Sequence, residues 1–413
     1  MLRVVRPICC GIDVHKRVRV ATVAKCGEGG QVSYERGDFG TLRTDLLQLA
    51  AWLEGLGCPS VCMESTGKYW VPVYEALEGR FEVCVAHPKY VRAVQGRKTD
   101  PRDSARIADL YMHDLVRTSF IPPRWVRDCR EIARYREKLV AARSSEKCRY
   151  QNSLTVSGIA LDCVVADVFG KTARGVMEAV TAPGGPDEAA VRGAIVGRCR
   201  RNADRIVDAV MGAELSPAQA FKVRESLAHM AELDRLVAAC EAELRGRMEP
   251  AWGLVRLLCG IPGVSEVSAM LILAEIGTDM DAFGDADHLC SWAGLVPACD
   301  ESAGKRKSNR ITKAGRHLKP VLVQCARAAV WSVDEPYFAR KYERIKARRG
   351  AKKAIVAIAR MMLTCMFHMI RDGTEFCPSD YEELRDPRPE RPKLTEDSAR
   401  ELLESLGYTL TKG

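Results

Sequence analysis

Apolar and polar residues follow two different periods along this chain, and each change of period marks a new kind of element. Ile8 to His15 (Ile-Cys-Cys-Gly-Ile-Asp-Val-His) reads as a strand, and Arg17 to Lys25, with Val18, Val20 and Thr22 alternating, reads as a second. Gly27-Glu-Gly-Gly30 turns the chain into a third, Gln31 to Tyr34. From Thr41 the spacing becomes three and four (Leu42, Leu46, Leu47, Ala50, Leu53), which predicts a helix stopping at Gly55 and Gly57. Ser60 to Met63 is a short apolar strand ending in Glu64, a helix over about Tyr69 to Leu77 closes at Gly79, and Phe81 to Ala86 is another buried strand. A helix through Asp100 to Leu110 follows, so the order is three strands, helix, strand, helix, strand, helix.

Beyond residue 121 the strand period disappears. Pro122 to about Tyr150 (Val126, Ile132, Tyr135, Leu139, Ala142) reads as a long, exposed, arginine-rich helix. Asn152 to Leu215 is less regular, with a loop at Ala182-Pro-Gly-Gly-Pro186 and no assignable chemistry. Leu227, Met230, Leu233, Val237, Cys240 and Leu244 then suit a helical hairpin or a coiled-coil seam, a spacer or an oligomer contact. Leu258-Cys-Gly-Ile-Pro-Gly-Val-Ser265 has the form of a helix-hairpin-helix, where Gly260 and Gly263 would allow a tight turn whose N–H groups can meet a phosphate. A plain turn between helices fits the same residues. A helix through Val330 and a terminal apolar helix from Gly350 complete the pattern, and from Cys377 the tail is polar and proline-rich, with a short helix near Glu396 to Leu406.

The expected fold is therefore α/β plus all-α. Residues 1–120 are expected to form the α/β domain, 121–250 a long helical spacer with coiled-coil segments, 251–372 a mainly helical domain with the helix-hairpin-helix motif, and 373–413 a peripheral tail. With 413 residues, 47% of them hydrophobic and 28% charged, the chain has ample material for such cores. Its net charge of +9 is concentrated in runs: Lys305, Arg306, Lys307, Arg310, Lys313, Arg316 and Lys319, then Lys346, Arg348, Arg349, Lys352 and Lys353. Such clusters fit phosphate partners as well as a solvated face. The seventeen cysteines include no Cys-x-x-Cys pair, and no signal peptide precedes them, so they read as small buried hydrophobes in a reducing cytoplasm. Ile355 to Ile370 comes nearest to a membrane span but contains Arg360 and His368, so a soluble protein without membrane attachment is expected.

Acids stand at telling places in the first part. Asp13 lies on the first strand, Glu64 ends the fourth, and Asp100 and Asp103 share one face of the last helix. Each alone has an ordinary reading: Asp13 as a turn residue, Glu64 as a surface acid, and Asp100 with Pro101 and Asp103 as the start of a helix. In a ribonuclease H type sheet, however, the first and fourth strands are neighbours, so Asp13, Glu64, Asp100 and Asp103 would converge. Four carboxylates suit two Mg2+ ions about 3.5 to 4 Å apart, one activating a nucleophile and one stabilising the leaving oxygen.

Gly11-Ile-Asp-Val-His-Lys16, Met63-Glu-Ser-Thr-Gly67 and Lys98-Thr-Asp-Pro-Arg-Asp-Ser-Ala-Arg106 resemble, in this order, the signatures of the DEDD transposases of the insertion-sequence one-ten family. The resemblance implies a RuvC-like domain whose four acids are Asp13, Glu64, Asp100 and Asp103. Leu257 to Val330 resembles that family's second domain, in which a serine before the Lys-x-Gly segment is the nucleophile, and Ser302 is the matching position. Where the family has glycine after that serine this chain has Ala303, and Ser308 is kept as a second candidate. Either serine lies near Lys305, Arg306 and Arg310, whose charge could stabilise attack on a phosphodiester or simply grip it.

What the resemblance implies is a recombinase that moves its own element, acting on DNA at element ends and target. It further implies guidance by a structured RNA and assembly of a homo-oligomer, dimer to tetramer. Lys305, Arg306, Lys307, Arg310, Lys313, Arg316, Lys352 and Lys353 are the expected nucleic-acid contacts. Two other readings stay open. One is a RuvC-type junction nuclease without a covalent serine step, and the other is an inactive nucleic-acid binder.

Overall fold

In the computed structural model the strand-rich part forms one mixed sheet, because three hairpin-connected strands are followed by two helix-connected ones. The structure describes residues 3–65, 67–86, 100–116, 118–297, 300–302, 305–308 and 314–384, with the side chains of 100–102, 300–302 and 305–308 outside that description. It divides into two units, residues 1–121 and 122–413.

In the first unit β1 (Ile8–Val14), β2 (Arg19–Cys26) and β3 (Val32–Phe39) pair antiparallel, while β4 (Ser60–Glu64) lies parallel to β1 and β5 (Glu82–Ala86) parallel to β4. The sheet order is β3-β2-β1-β4-β5, compatible with a ribonuclease H type fold. The third strand runs to Phe39 rather than ending at Tyr34. It pairs with the whole of β2 but stands at the sheet edge, largely exposed, so Glu35, Arg36 and Asp38 need no apolar alternation. Helices α1 (Arg43–Gly55) and α2 (Trp70–Leu77) cover one face, over Cys10, Ile12, Val14, Val61 and Met63. Helix α3 (Asp100–Met112) covers the other, over Cys9, Cys62, Cys84 and Ala86.

Among its described residues the second unit is helical apart from one short hairpin. Helix α4 (Arg124–Val156) is not the exposed rod expected: Val126, Cys129, Ala133, Leu139, Tyr150 and Leu154 are buried along one stripe. Arginines occupy its other positions, which is why the sequence reads as polar. Residues 157–216 carry α5 (Lys171–Val180), α6 (Glu188–Ala194) and α7 (Ala203–Met211), whose core around Leu161, Val176, Met177, Val191 and Ile206 also takes in Tyr150 and Leu154 of α4 and Val223, Leu227 and Met230. Helix α8 (Pro217–Arg247), capped by Ser216, returns along α4, so the apolar seam closes a hairpin within the chain.

Further helices are α9 (Trp252–Cys259), α10 (Glu266–Ile276), α11 (Ala286–Trp292), α12 (Leu318–Val330), α13 (Tyr337–Arg349), α14 (Ala351–Asp372) and the short α15 (Tyr381–Leu384). Two expectations are corrected here. Helix α14 is long and apolar enough in length and composition to cross a membrane, since Arg360 and His368 are outweighed by the apolar residues around them, a test that a buried core helix also passes. Half of that apolar window is buried within the unit, through residues such as Ile358, Met362 and Phe367. The tail beyond residue 372 also begins packed: Phe376 and Tyr381 stack on Tyr337, and Asp380 accepts from the Tyr337 hydroxyl at 2.8 Å and pairs with Lys341. The helix expected near Glu396 to Leu406 lies outside the described residues. Among the described residues the cysteines are free, and Cys148, Cys163, Cys259 and Cys377 are exposed rather than buried.

Candidate catalytic site

Strand register brings the first two acids together. On β1 and β4 the pairs run Cys10 with Val61, Gly11 with Cys62, and Ile12 with Met63, so the next step sets Asp13 beside Glu64 at the strand ends. Neighbouring strands lie about 4.8 Å apart, and residues level with one another on parallel strands project to the same face. Because Ile12 and Met63 face α1 and α2, Asp13 and Glu64 face the side that α3 covers. Both acids are half-buried.

The helix that carries the other two acids is seated by a missing side chain. A Cβ on Gly11 would overlap the Ser104 carbonyl oxygen and the Ala108 amide nitrogen, so only glycine lets α3 approach β1 this closely. One turn of contact lies deeper, where the Cys9 thiol donates to the Ala108 carbonyl at 3.5 Å. The Thr22 and Ser104 hydroxyls, 2.7 Å apart and buried, tie the same turn to β2. As β1 advances from Cys9 to Gly11, its contacts retreat along α3 from Ala108 toward Ser104. Extended by two residues, that antiparallel course carries Asp13 toward the first turn, where Asp100 opens the helix and Asp103 stands half-buried. The side chain of Asp100 is outside the described residues. Among the described residues, no three His, Cys, Asp or Glu side chains stand close enough to hold a metal ion. The donor chemistry nonetheless suits a hard cation, since all four candidates are carboxylates.

Two neighbours of this site went unassigned in the sequence. His15, two residues past Asp13, meets its carboxylate at 2.8 Å through Nε2. Arg19 is buried, with its guanidinium donating to the carbonyls of His15, Val18 and Tyr69 while Nε has no partner among the described residues. Burial holds its pKa below the ordinary arginine value. Spacing could have flagged His15, since Asp13-Val-His15 puts both side chains on one face of a strand; an arginine in the alternating run Val18 to Thr22 carries no comparable signal.

In the second unit Ser302 ends β6 (Asp300–Ser302), which pairs antiparallel with β7 (Lys305–Ser308). Ser302 lies opposite Lys305 and Asp300 opposite Ser308, so both candidate serines and Lys305, Arg306 and Lys307 belong to one small hairpin. Arg310 and Lys313 fall outside the described residues, while Arg316, Lys352 and Lys353 are exposed. The helix-turn-helix of α9 and α10 is present, but only Gly263, at φ +82°, needs to be glycine for its backbone, whereas Gly260 has ordinary helical angles. Gly263 also packs against the last turn of α12, where a Cβ would crowd Cys325 and Ala329 backbone atoms.

Comparisons with known proteins agree on one kind of protein. Over 138 residues the chain is 32% identical to a protein of insertion element IS110 from Streptomyces coelicolor, covering 33% of each. It is 30% identical over 125 residues to a protein of insertion element IS900 from Mycobacterium paratuberculosis, covering 30% of this chain and 31% of that one. It is 32% identical over 123 residues to the pilin gene-inverting protein of Moraxella bovis, covering 29% of this chain and 38% of that one. The matches thus span about a third of the length of these relatives. A DEDD transposase model matches residues 10–158 and a model of the IS116/IS110/IS902 transposases matches residues 255–343, together more than half of the chain, which belongs to that transposase family.

Proposed function

We propose that this chain is a DNA transposase or recombinase in which the carboxylates of the first unit and the hairpin serine of the second act on the same phosphodiester. The observation that carries the reading is the β1–β4 register, which sets Asp13 beside Glu64 under the helix of Asp100 and Asp103. Those four carboxylates would hold Mg2+, which when bound supplies positive charge for a phosphodiester in reaction. Ser302 is the proposed nucleophile. Its oxygen bonds to phosphorus as its proton leaves, and the displaced strand departs with a free hydroxyl that takes up a proton. A hydroxyl of a second strand can then displace Ser302, so one phosphodiester is exchanged for another without an external energy source. Lys305, Arg306 and Lys307 on the same hairpin offset the charge that develops on the phosphate oxygens.

The transposase models and the gene-inverting relative support recombination over simple hydrolysis. Guidance by a structured RNA and assembly up to a tetramer belong to the same proposal and rest on the family resemblance. The test is strand exchange between two duplexes, one carrying the DNA that flanks the gene. Joined products that depend on Mg2+ are expected. Cut ends that never join would place the chain with the junction nucleases, and binding without cutting would make it an inactive binder.

A further inference from the structure

The hairpin of Ser302 leaves its domain through a neck of two glycines. On the entry side, α11 ends in a Schellman motif: the Leu295 N–H donates to Cys290 and the Gly294 N–H to Ser291, both at 3.0 Å, with Gly294 at φ +67°. On the exit side, Gly315 has φ +63° and its carbonyl accepts from the Lys319 N–H at 2.9 Å, which starts α12. The two strands of the neck touch. A Cβ on Gly294 would overlap the Ala314 carbonyl, and one on Gly315 would overlap the Ala293 carbonyl. The chain is therefore held together at residues 293–294 and 314–315, on either side of the segment that carries Ser302.

One contact beside the neck reaches a distant helix. The His317 imidazole, two residues beyond Gly315, meets the Glu137 carboxylate on α4. Glu137 is itself presented by a lock one turn earlier, where Arg134 grips the buried Glu275 of α10 with two bonds, 2.8 and 2.9 Å, and Arg130 donates to the Ala274 and Glu275 carbonyls. Between α4 and α12 at this point lies a cavity of about 110 Å3, lined in part by Arg134, Glu137, Leu271, His317, Val321 and Gln324. Side-chain packing therefore does not substitute for the polar contact here.

We propose that Glu137 and His317 are positioning residues for Ser302, setting the direction in which its hairpin leaves the neck. The inference rests on the serine reading above. A misplacement of about 1 Å can cost roughly a hundredfold in rate without weakening binding. The hairpin is the only moving part invoked, so the contact should govern the rate of the covalent step and leave DNA affinity and the fold alone.

The experiment follows covalent protein–DNA adduct formation in single turnovers at saturating labelled DNA, with full-length wild type, Glu137→Gln, His317→Gln and the exchanged pair Glu137→His with His317→Glu. DNA affinity and melting temperature are measured beside it. Each single variant is expected to slow the adduct by about tenfold or more, with affinity and melting temperature unchanged, and the exchanged pair is expected to recover most of the rate. Single variants at the wild-type rate overturn the proposal. So does a loss of rate that follows a loss of affinity or melting temperature, since that is what a merely structural contact would give. A Ser302→Ala control separates the two claims. An adduct that persists there overturns the serine reading and this inference with it, whereas its absence there beside full rates in the single variants overturns this inference alone.

Discussion

In the first unit the chemistry stands on the sheet itself, whereas in the second it stands on a hairpin held at a neck. Asp13 and Glu64 are placed by a backbone ladder, and a shift of one residue would turn Ile12 and Met63 out of the core. Their positions are therefore as durable as the fold. Ser302 lies on a three-residue strand paired with a four-residue one, and in the account proposed above its direction is set by the His317–Glu137 contact. The backbone positions of those acids are therefore difficult to shift without unfolding the unit, whereas the proposed direction of the serine should change at little cost in stability.

The comparison is sharpened most by removing a carboxylate. Asp13→Asn or Asp103→Asn should lower DNA cleavage by about a thousandfold, the equivalent of several kcal/mol of lost charge stabilisation. Both acids are half-buried, so thermal unfolding should stay near wild type. A cleavage assay beside a melting curve checks both halves of the expectation. Next in size is Glu275→Ala, which leaves Arg130 and Arg134 without their buried partner and should destabilise the second unit by about 3–5 kcal/mol. Chemical denaturation would measure it, and a loss under about 1 kcal/mol would show that α4 is not locked against α10 in this way.

Gly11→Ala tests the other side of the comparison. The added methyl must push α3 off β1, at a cost of about 1–3 kcal/mol. Because the same helix carries Asp100 and Asp103, cleavage should fall along with stability, unlike the carboxylate variants. Full activity in a stable Gly11→Ala protein would mean that the seating of α3 does not place the acids.

The smallest effect is a pH dependence in the hairpin of α4 and α8. Burial disfavours the charged form of Glu146, but bonds from Ser226, Arg149 and His229 outweigh it and hold the carboxyl below the ordinary value of 4.5. A depressed folded pKa contributes stability above 4.5 that is lost as pH falls through the folded value. Glu146→Gln should therefore flatten the acid side of the stability curve below that pH, and an unchanged slope would exclude Glu146 as its source.

Legibility divides along the same line. The strands of the first unit and the helices around them could be read from the chain because alternation and glycine breaks agree there. Only β3 was cut short, since an exposed edge strand carries no apolar pattern to extend it. In the second unit helices were legible but their partners were not. The burial of α4 was hidden because its stripe is narrow and arginines such as Arg130 and Arg134 fill the flanks, satisfied by Glu275 from residues 141 or more away. The core of residues 157–216 escaped notice because it is assembled from short helices, none long enough to show a clear period. His15 could have been flagged by its spacing from Asp13, but Glu137 could not be singled out, since its partner His317 lies 180 residues away.

The central claim is that the acids of one unit and the serine of the other serve a single step. Its most direct test is a denaturing gel of labelled DNA incubated with wild type, Ser302→Ala, Ser308→Ala and Asp103→Asn, each with Mg2+ and with chelator. The account predicts a band shifted by the mass of the protein for wild type and Ser308→Ala with Mg2+, and none for Ser302→Ala, Asp103→Asn or any chelated sample. An adduct that survives in Asp103→Asn, or DNA cut by Ser302→Ala at the wild-type rate, would contradict it.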